Sequence, residues 1–273
     1  MNKGLTRVSS EAAVGIRGCL SGVLIFLGPL ILASSSYADA ITEKGERAEV
    51  NWSALEVRYF GEAAPGDDDK DSFKGTERRA WQDGISAIEE TLTLLSDGRI
   101  GMHVSAPKGA ATSGGSGATS RSTTYFGDGK VRVYLQSPLQ KIVVAALGEV
   151  AFREKSELAA LKPATASYSG VVIQLEQKLA PLAVYKLTDP SGQKLFGIED
   201  MTEEGFRSSL MGRWVRRAGD QEIAAYAGDK PLIIKAKIGE SRNQIIVDPD
   251  TWKSIGQEAA YLMASGNVLI AVP

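Results

Sequence analysis

Apolar positions recur along the chain at two periods. Between Thr76 and Leu95 they fall at Trp81, Ile85, Ile88, Leu92 and Leu95, at spacings of 4, 3, 4 and 3 that draw one stripe along a helix. Asp97-Gly98 supplies its stop, since glycine takes the left-handed conformation common at a helix end. Leu55-Glu56-Val57-Arg58-Tyr59 alternates as a strand does, and so do Ile100, Met102 and Val104. Thr123 to Phe126 and Val131 to Leu135 flank Gly127-Asp128-Gly129, a hairpin signal that turns Val131, Val133 and Leu135 inward. Leu139 to Leu147 is apolar throughout and fits helix or strand. Residues 41–52 read as a loose polar leader, and Gly61 to Asp71 and the Gly/Ser-rich Ser105 to Ser122 read as loops.

The second half is patterned more sharply. Three strands are expected through Val171-Val172-Ile173, Leu182 to Leu187 and Leu195-Phe196, the last two joined by the turn Asp189-Pro190-Ser191-Gly192. A helix follows over 202–217, with acids at its start, Phe206, Leu210 and Trp214 as its stripe, and Arg213, Arg216 and Arg217 in its last turn. Leu232 to Ile238 and Gln244 to Val247 are strands. Asp248-Pro249 opens a helix with Trp252, Ile255, Ala259 and Leu262 on one face, and Asn267 to Val272 is a buried strand. Strand, helix, strand is a crossover unit, so 244–247 and 268–272 are expected to run parallel in one sheet.

The pattern predicts an α+β protein of two modules, each a mixed or antiparallel sheet with helices packed on one face. The boundaries are a signal peptide at 1–40, a leader and loop at 41–75, an N-terminal module at 76–152, a linker at 153–167 and a C-terminal module at 168–273, ordered βββαββαβ. The signal reading rests on Lys3, Arg7 and Arg17, the apolar run Leu20 to Leu32 and an A-x-A site at Ala38 and Ala40. Cleavage after Ala40 and export are expected, with an uncleaved anchor as the alternative. Cys19 is the only cysteine and precedes the apolar run, so neither a lipid anchor nor a disulfide is expected. The mature chain carries no run long enough to span a bilayer.

Charge is nearly balanced, Lys+Arg 31 against Asp+Glu 33, and no excess points to nucleic acid. His103 is the only histidine and reads as a surface residue. Asp67-Asp68-Asp69-Lys70-Asp71 imitates the start of a calcium loop, but Ser72 replaces its glycine and Arg78 its closing glutamate. Gly114-Gly115-Ser116-Gly117 matches neither a phosphate loop nor a nucleophile elbow. No catalytic residue, metal ligand or cofactor is assigned. Arg213, Arg216 and Arg217 are a candidate partner surface, although cations at a helix end also suit the helix dipole.

Four places carry a family likeness: Glu77 to Asp83, Gly129 to Val133 running into Pro138-Leu139, Tyr168 to Ile173 with the Asp-Pro-Ser-Gly hairpin and Phe196-Gly197, and Pro231 to Ala236 with Ile246-Val247 and the terminal helix and strand. Together, over residues 76–273, they resemble a bacterial envelope family of small outer-membrane lipoproteins that includes the flagellar protein FlgP and shares folds with FlgT. The resemblance implies an exported, non-enzymatic protein of the cell envelope or flagellum. It would sit in the periplasm or at the outer membrane, and its partners would be envelope or flagellar proteins or further copies of itself. The missing lipobox cysteine and the long Gly-rich loop depart from the family. Two rival expectations stand beside it: a periplasmic module binding cell-wall fragments in a pocket between the modules, and a hydrolase using two buried acids.

Overall fold

The computed structural model describes residues 40–66, 73–96, 117–165, 167–241 and 243–273. Among them the strands form two sheets. The first has five antiparallel strands, in the order β1 (Thr42–Lys44), β2 (Ala48–Asn51), β3 (Glu56–Ala63), β5 (Val131–Pro138), β4 (Thr119–Tyr125). The second has seven strands of mixed direction, in the order β8 (Lys194–Phe196), β7 (Lys186–Thr188), β11 (Gln244–Val247), β10 (Pro231–Ile238), β6 (Gly170–Leu175), β12 (Val268–Val272), β9 (Arg213–Arg216). Helices pack against both, so the fold is α+β.

Strand alternation builds the first sheet. Val57, Tyr59 and Gly61 of β3 and Val131, Val133 and Leu135 of β5 are buried on one face. Helix α1 (Phe73–Ser86) covers that face through Thr76, Ala80 and Gly84. A Cβ at Gly61 would run into the Ala80 carbonyl oxygen and the Gly84 backbone, so the helix rests directly on the strand. Small residues therefore make the contact, while Trp81 and Ile85 of the expected stripe are only partly buried beside it. The single helix expected over 76–95 is broken. Ala87 donates its N–H to both Asp83 and Gly84, and a new helix, α2 (Ile88–Ser96), buries Ile88, Leu92 and Leu95.

The loose leader expected at 41–52 is instead part of the fold. It supplies β1 and β2, and Ile41, Val50 and Trp52 are buried. The end of the expected Gly/Ser loop, Thr119 to Ser122, belongs to β4. The expected strand at 100–104, His103, the 67–71 acids and the glycines at 114–115 lie outside the described residues. Leu139–Leu147 is a helix, α3, which buries Leu139, Ile142, Val143 and Ala146. The expected linker contains helix α4 (Lys155–Leu161), and Arg153 ties it down by donating to the Asp200 carbonyl and carboxylate.

In the second half the hairpin turn forms where expected. The Asp189 carboxylate accepts the Ser191 and Gln193 N–H groups, and Gly192 takes φ 86°. The helix expected over 202–217 stops early. Helix α5 (Glu203–Ser209) ends at Leu210 with φ 55°, Gly212 follows with φ 151°, and Arg213-Trp214-Val215-Arg216 is strand β9. A further helix, α6 (Asp220–Ala227), lies on the opposite face of the second sheet, over Val172, Leu269 and Ala271. Helix α7 (Pro249–Ala264) forms as read, capped by the Asp248 carboxylate on the Thr251 N–H. It covers the core face beside β6, with Ala259, Leu262 and Met263 buried.

The strands β11 and β12 share the sheet but run in opposite directions. β11 is antiparallel to β10, and β10, β6 and β12 are mutually parallel. The chain leaving α7 passes β10 and β6 before it pairs, so the expected parallel crossover does not form.

Candidate functional site

Alternation that buries one face of the first sheet displays the other. Outward positions are Glu56, Arg58, Phe60 and Glu62 on β3 and Arg132, Tyr134 and Gln136 on β5, in register as Phe60 with Tyr134 and Glu62 with Arg132. The Phe60 and Tyr134 rings lie 6.0 Å apart between centroids. The Arg132 guanidinium sits 4.6 Å from the Phe60 ring centre and 5.6 Å from that of Phe126, and it pairs with Glu62. Arginine over aromatic faces is held by the ring quadrupole. Tyr134 is 37% exposed and Phe126 39%, so the cluster is offered to solvent.

Charges continue across the strands. Lys44 pairs with Glu49, Glu49 stands opposite Arg58, and Glu56 accepts from Arg58 and lies 3.8 Å from Arg121 on β4. Arg47 reaches from the β1–β2 turn to Asp83 of α1. Between these walls lies a concave groove of about 490 Å³, lined by Lys44, Arg47, Arg58, Phe60, Arg121 and Tyr134. Arginine and aromatic side chains on a concave, charge-balanced face are the composition of protein interfaces, and these residue types carry most contact energy there.

No protein-family model and no curated protein matches the chain. The reading of the site therefore rests on its geometry.

The three arginines of the candidate partner surface are not presented together. Arg213 is partly buried: it donates to the Ser53 carbonyl at 3.2 Å, stacks 4.8 Å from the Tyr226 ring centre, and burial pushes its pKa down. Trp214 is fully buried and donates its ring N–H to the Leu182 carbonyl. Arg216 and Arg217 are exposed, at the end of an edge strand rather than in a helix turn. Of the two cleavage-site alanines, Ala38 lies outside the described residues, and Ala40 forms an antiparallel bridge with Val215 of β9. The next residues join the two sheets. The Ser53 hydroxyl accepts the Ile41 N–H at 3.0 Å and donates to the Trp214 carbonyl at 2.5 Å.

Several carboxylates are held below their ordinary pKa. Asp189 is lowered first by the Ser191 hydroxyl, Asp248 by the Thr251 N–H and Glu204 by Lys155. For Glu199, burial pulls upward, and the Lys194 hydrogen bond together with a backbone hydrogen bond and the charges of Lys194 and Lys186 outweighs it. These groups serve a turn, a helix start and surface pairs. A general acid working near neutral pH needs the opposite shift. Among the described residues, no group of three or more His, Cys, Asp or Glu converges as metal ligands do, and no helix is long and apolar enough to cross a membrane.

Sequence reasoning passed over Phe60, Phe126, Arg132 and Tyr134. The signal was present. Once the inward residues of β3 and β5 are assigned, the alternate positions carry aromatics and arginines where a plain solvated face would carry Lys, Glu, Ser or Thr.

Proposed function

We propose that the chain is an exported, non-enzymatic structural or assembly protein of the bacterial cell envelope, flagellum-associated, working through protein contacts on the outer face of its first sheet. The observation that carries this is the Phe60–Arg132–Tyr134–Phe126 array, half-buried at Phe60 and Arg132 and exposed at Tyr134 and Phe126. The export signal at the N-terminus and the envelope-family resemblance support the address. β4 supports lateral contact between copies, because among the described residues it pairs on one side only, and an open strand edge is a template for another chain.

The test is cross-linking of the native protein in envelope fractions, followed by identification of what it captures. Recovery of envelope or flagellar proteins is expected. A protein that fractionates with the cytoplasm, or a deletion strain with normal envelope and motility, overturns the proposal.

A second reading, binding of cell-wall fragments, is favoured by the groove's volume, which lies within the range of ligand pockets. The groove lies on the first sheet, away from the expected site between the modules. Calorimetric titration with soluble wall fragments separates the two readings.

A further inference from the structure

Two bonds at the end of the export signal fit the small-residue rule for cleavage. Ser36-Tyr37-Ala38 and Ala38-Asp39-Ala40 each place small residues one and three positions before the cut. The A-x-A pattern alone points to the second. The fold favours the first, because Ala40 belongs to the folded body. It forms an antiparallel bridge with Val215 of β9, a residue only 2% exposed. On its other side β9 pairs with β12, so β9 is the last strand of its sheet. Among the described residues its outer edge is covered by Ala40 and by the contacts of Trp214 with Trp52 and Ser53. An uncovered strand edge invites pairing with other chains. Loss of Ala40 would strip part of that cover.

The next nitrogen along the chain makes the same point. Ile41 is 5% exposed, its N–H donates to the Ser53 hydroxyl oxygen at 3.0 Å, and its carbonyl accepts the Trp52 N–H at 2.9 Å. As a peptide group it has one N–H and one acceptor, and it is satisfied. Cleavage after Ala40 would make this nitrogen an ammonium with three donors in the same place. The Ser53 hydroxyl is a single acceptor, and its own proton is committed to the Trp214 carbonyl at 2.5 Å. The Arg213 guanidinium, a like charge, sits on the carbonyl of that same serine at 3.2 Å. A charge withdrawn from water without full hydrogen bonding is costly, and a like charge nearby adds to the cost. Cleavage after Ala38 instead places the new ammonium on Asp39, two residues before Ile41, and leaves the Ala40 bridge and the Ile41 amide as they are.

We infer that export processing cuts after Ala38, within Ser36-Tyr37-Ala38, and that the mature protein begins at Asp39 and keeps Ala40 as part of the second sheet's edge. The inference rests on the export reading, and its test separates the two. The full chain is expressed in a bacterial host, recovered from the envelope and periplasmic fractions, and its N-terminus is read by sequencing and by intact mass. A chain beginning Asp39-Ala40-Ile41-Thr42 is expected. A chain beginning at Ile41 overturns the inference and leaves export standing; an uncleaved chain overturns both. Two variants of the full chain assign the cut. Ser36→Arg spoils the first motif and leaves the second intact, so it should abolish the Asp39 start. Ala40→Arg spoils only the second motif, so the Asp39 start should persist. Neither change alters the buried core, since Ser36 is removed with the signal and Ala40 is exposed. An N-terminus unchanged by Ser36→Arg, or lost in Ala40→Arg, overturns the inference.

Discussion

Replacing Trp52 by alanine tests whether residues 41–55 are integral to the fold. The indole is fully buried, and its ring N–H donates to the Glu43 carboxylate at 3.0 Å. Its backbone N–H donates to the Ile41 carbonyl, and its own carbonyl accepts the Trp214 N–H. The residue thus anchors β1 and faces β9 of the other sheet. Truncating a buried Trp or Phe costs about 3–5 kcal/mol, because the cavity does not close fully. Folded proteins hold only about 5–15 kcal/mol in total, so this is a large share. At roughly 2–4 °C per kcal/mol for a fold of this size, the melting temperature should fall by about 6–20 °C. Urea unfolding followed by circular dichroism measures it: the midpoint should drop while the slope stays constant. Trp252→Ala, on the half-buried side of α7, should cost clearly less. A Trp52→Ala loss below about 1 kcal/mol, the size expected for a loosely held surface residue, would refute the integration of this segment.

Three further outcomes follow from the same packing. Tyr185 is fully buried and its hydroxyl donates to the Met211 carbonyl at 2.8 Å, so Tyr185→Phe should lose about 1–3 kcal/mol by orphaning that carbonyl. Burial raises its pKa above the ordinary 10.0, so its contribution is complete below that pH and declines as the pH rises past it. An ultraviolet titration should show this phenol ionising together with unfolding, and smooth ionisation in the native state would contradict the burial. Gly61→Ala should destabilise by about 3 kcal/mol or more, because the added methyl meets helix backbone that cannot step aside, whereas Gly84→Ala should cost less, since its nearest contact is the end of the Leu135 side chain and the Gly61 backbone lies farther off, at 3.1 Å. Equal melting temperatures for the two variants would contradict the direct seating of α1. Arg132→Gln should change stability by under about 1 kcal/mol, because its pair with Glu62 is exposed; a larger loss would make the array structural rather than a surface for partners.

The sequence was most informative where large apolar residues set the period. Val131, Val133 and Leu135, the Asp189 turn and the 249–264 helix stand where alternation, turn chemistry and capping placed them. It was least informative where small residues make the contact. The Thr76-Ala80-Gly84 face of α1 carries no apolar signal, because close approach to Gly61 selects for lack of bulk. Arg213-Trp214-Val215-Arg216 fits a helix stripe and a strand equally well, and the break was marked only by Gly212. Residues 41–52 look polar because their strands are short, and only Ile41, Ala48, Val50 and Trp52 turn inward. The contact face stayed hidden for a related reason: outward-facing Phe60 and Tyr134 stand out only once the buried face of their strands is known.

The most direct test of the functional account is capture by a Phe60→Ser/Tyr134→Ser double variant. Both side chains point away from the core, so folding and export should be unchanged. Cross-linking in envelope fractions should then lose the partners that the wild-type protein recovers, with the same protein level and melting temperature. Undiminished recovery of the same partners by the double variant would contradict the assignment of the first sheet's outer face as the contact surface.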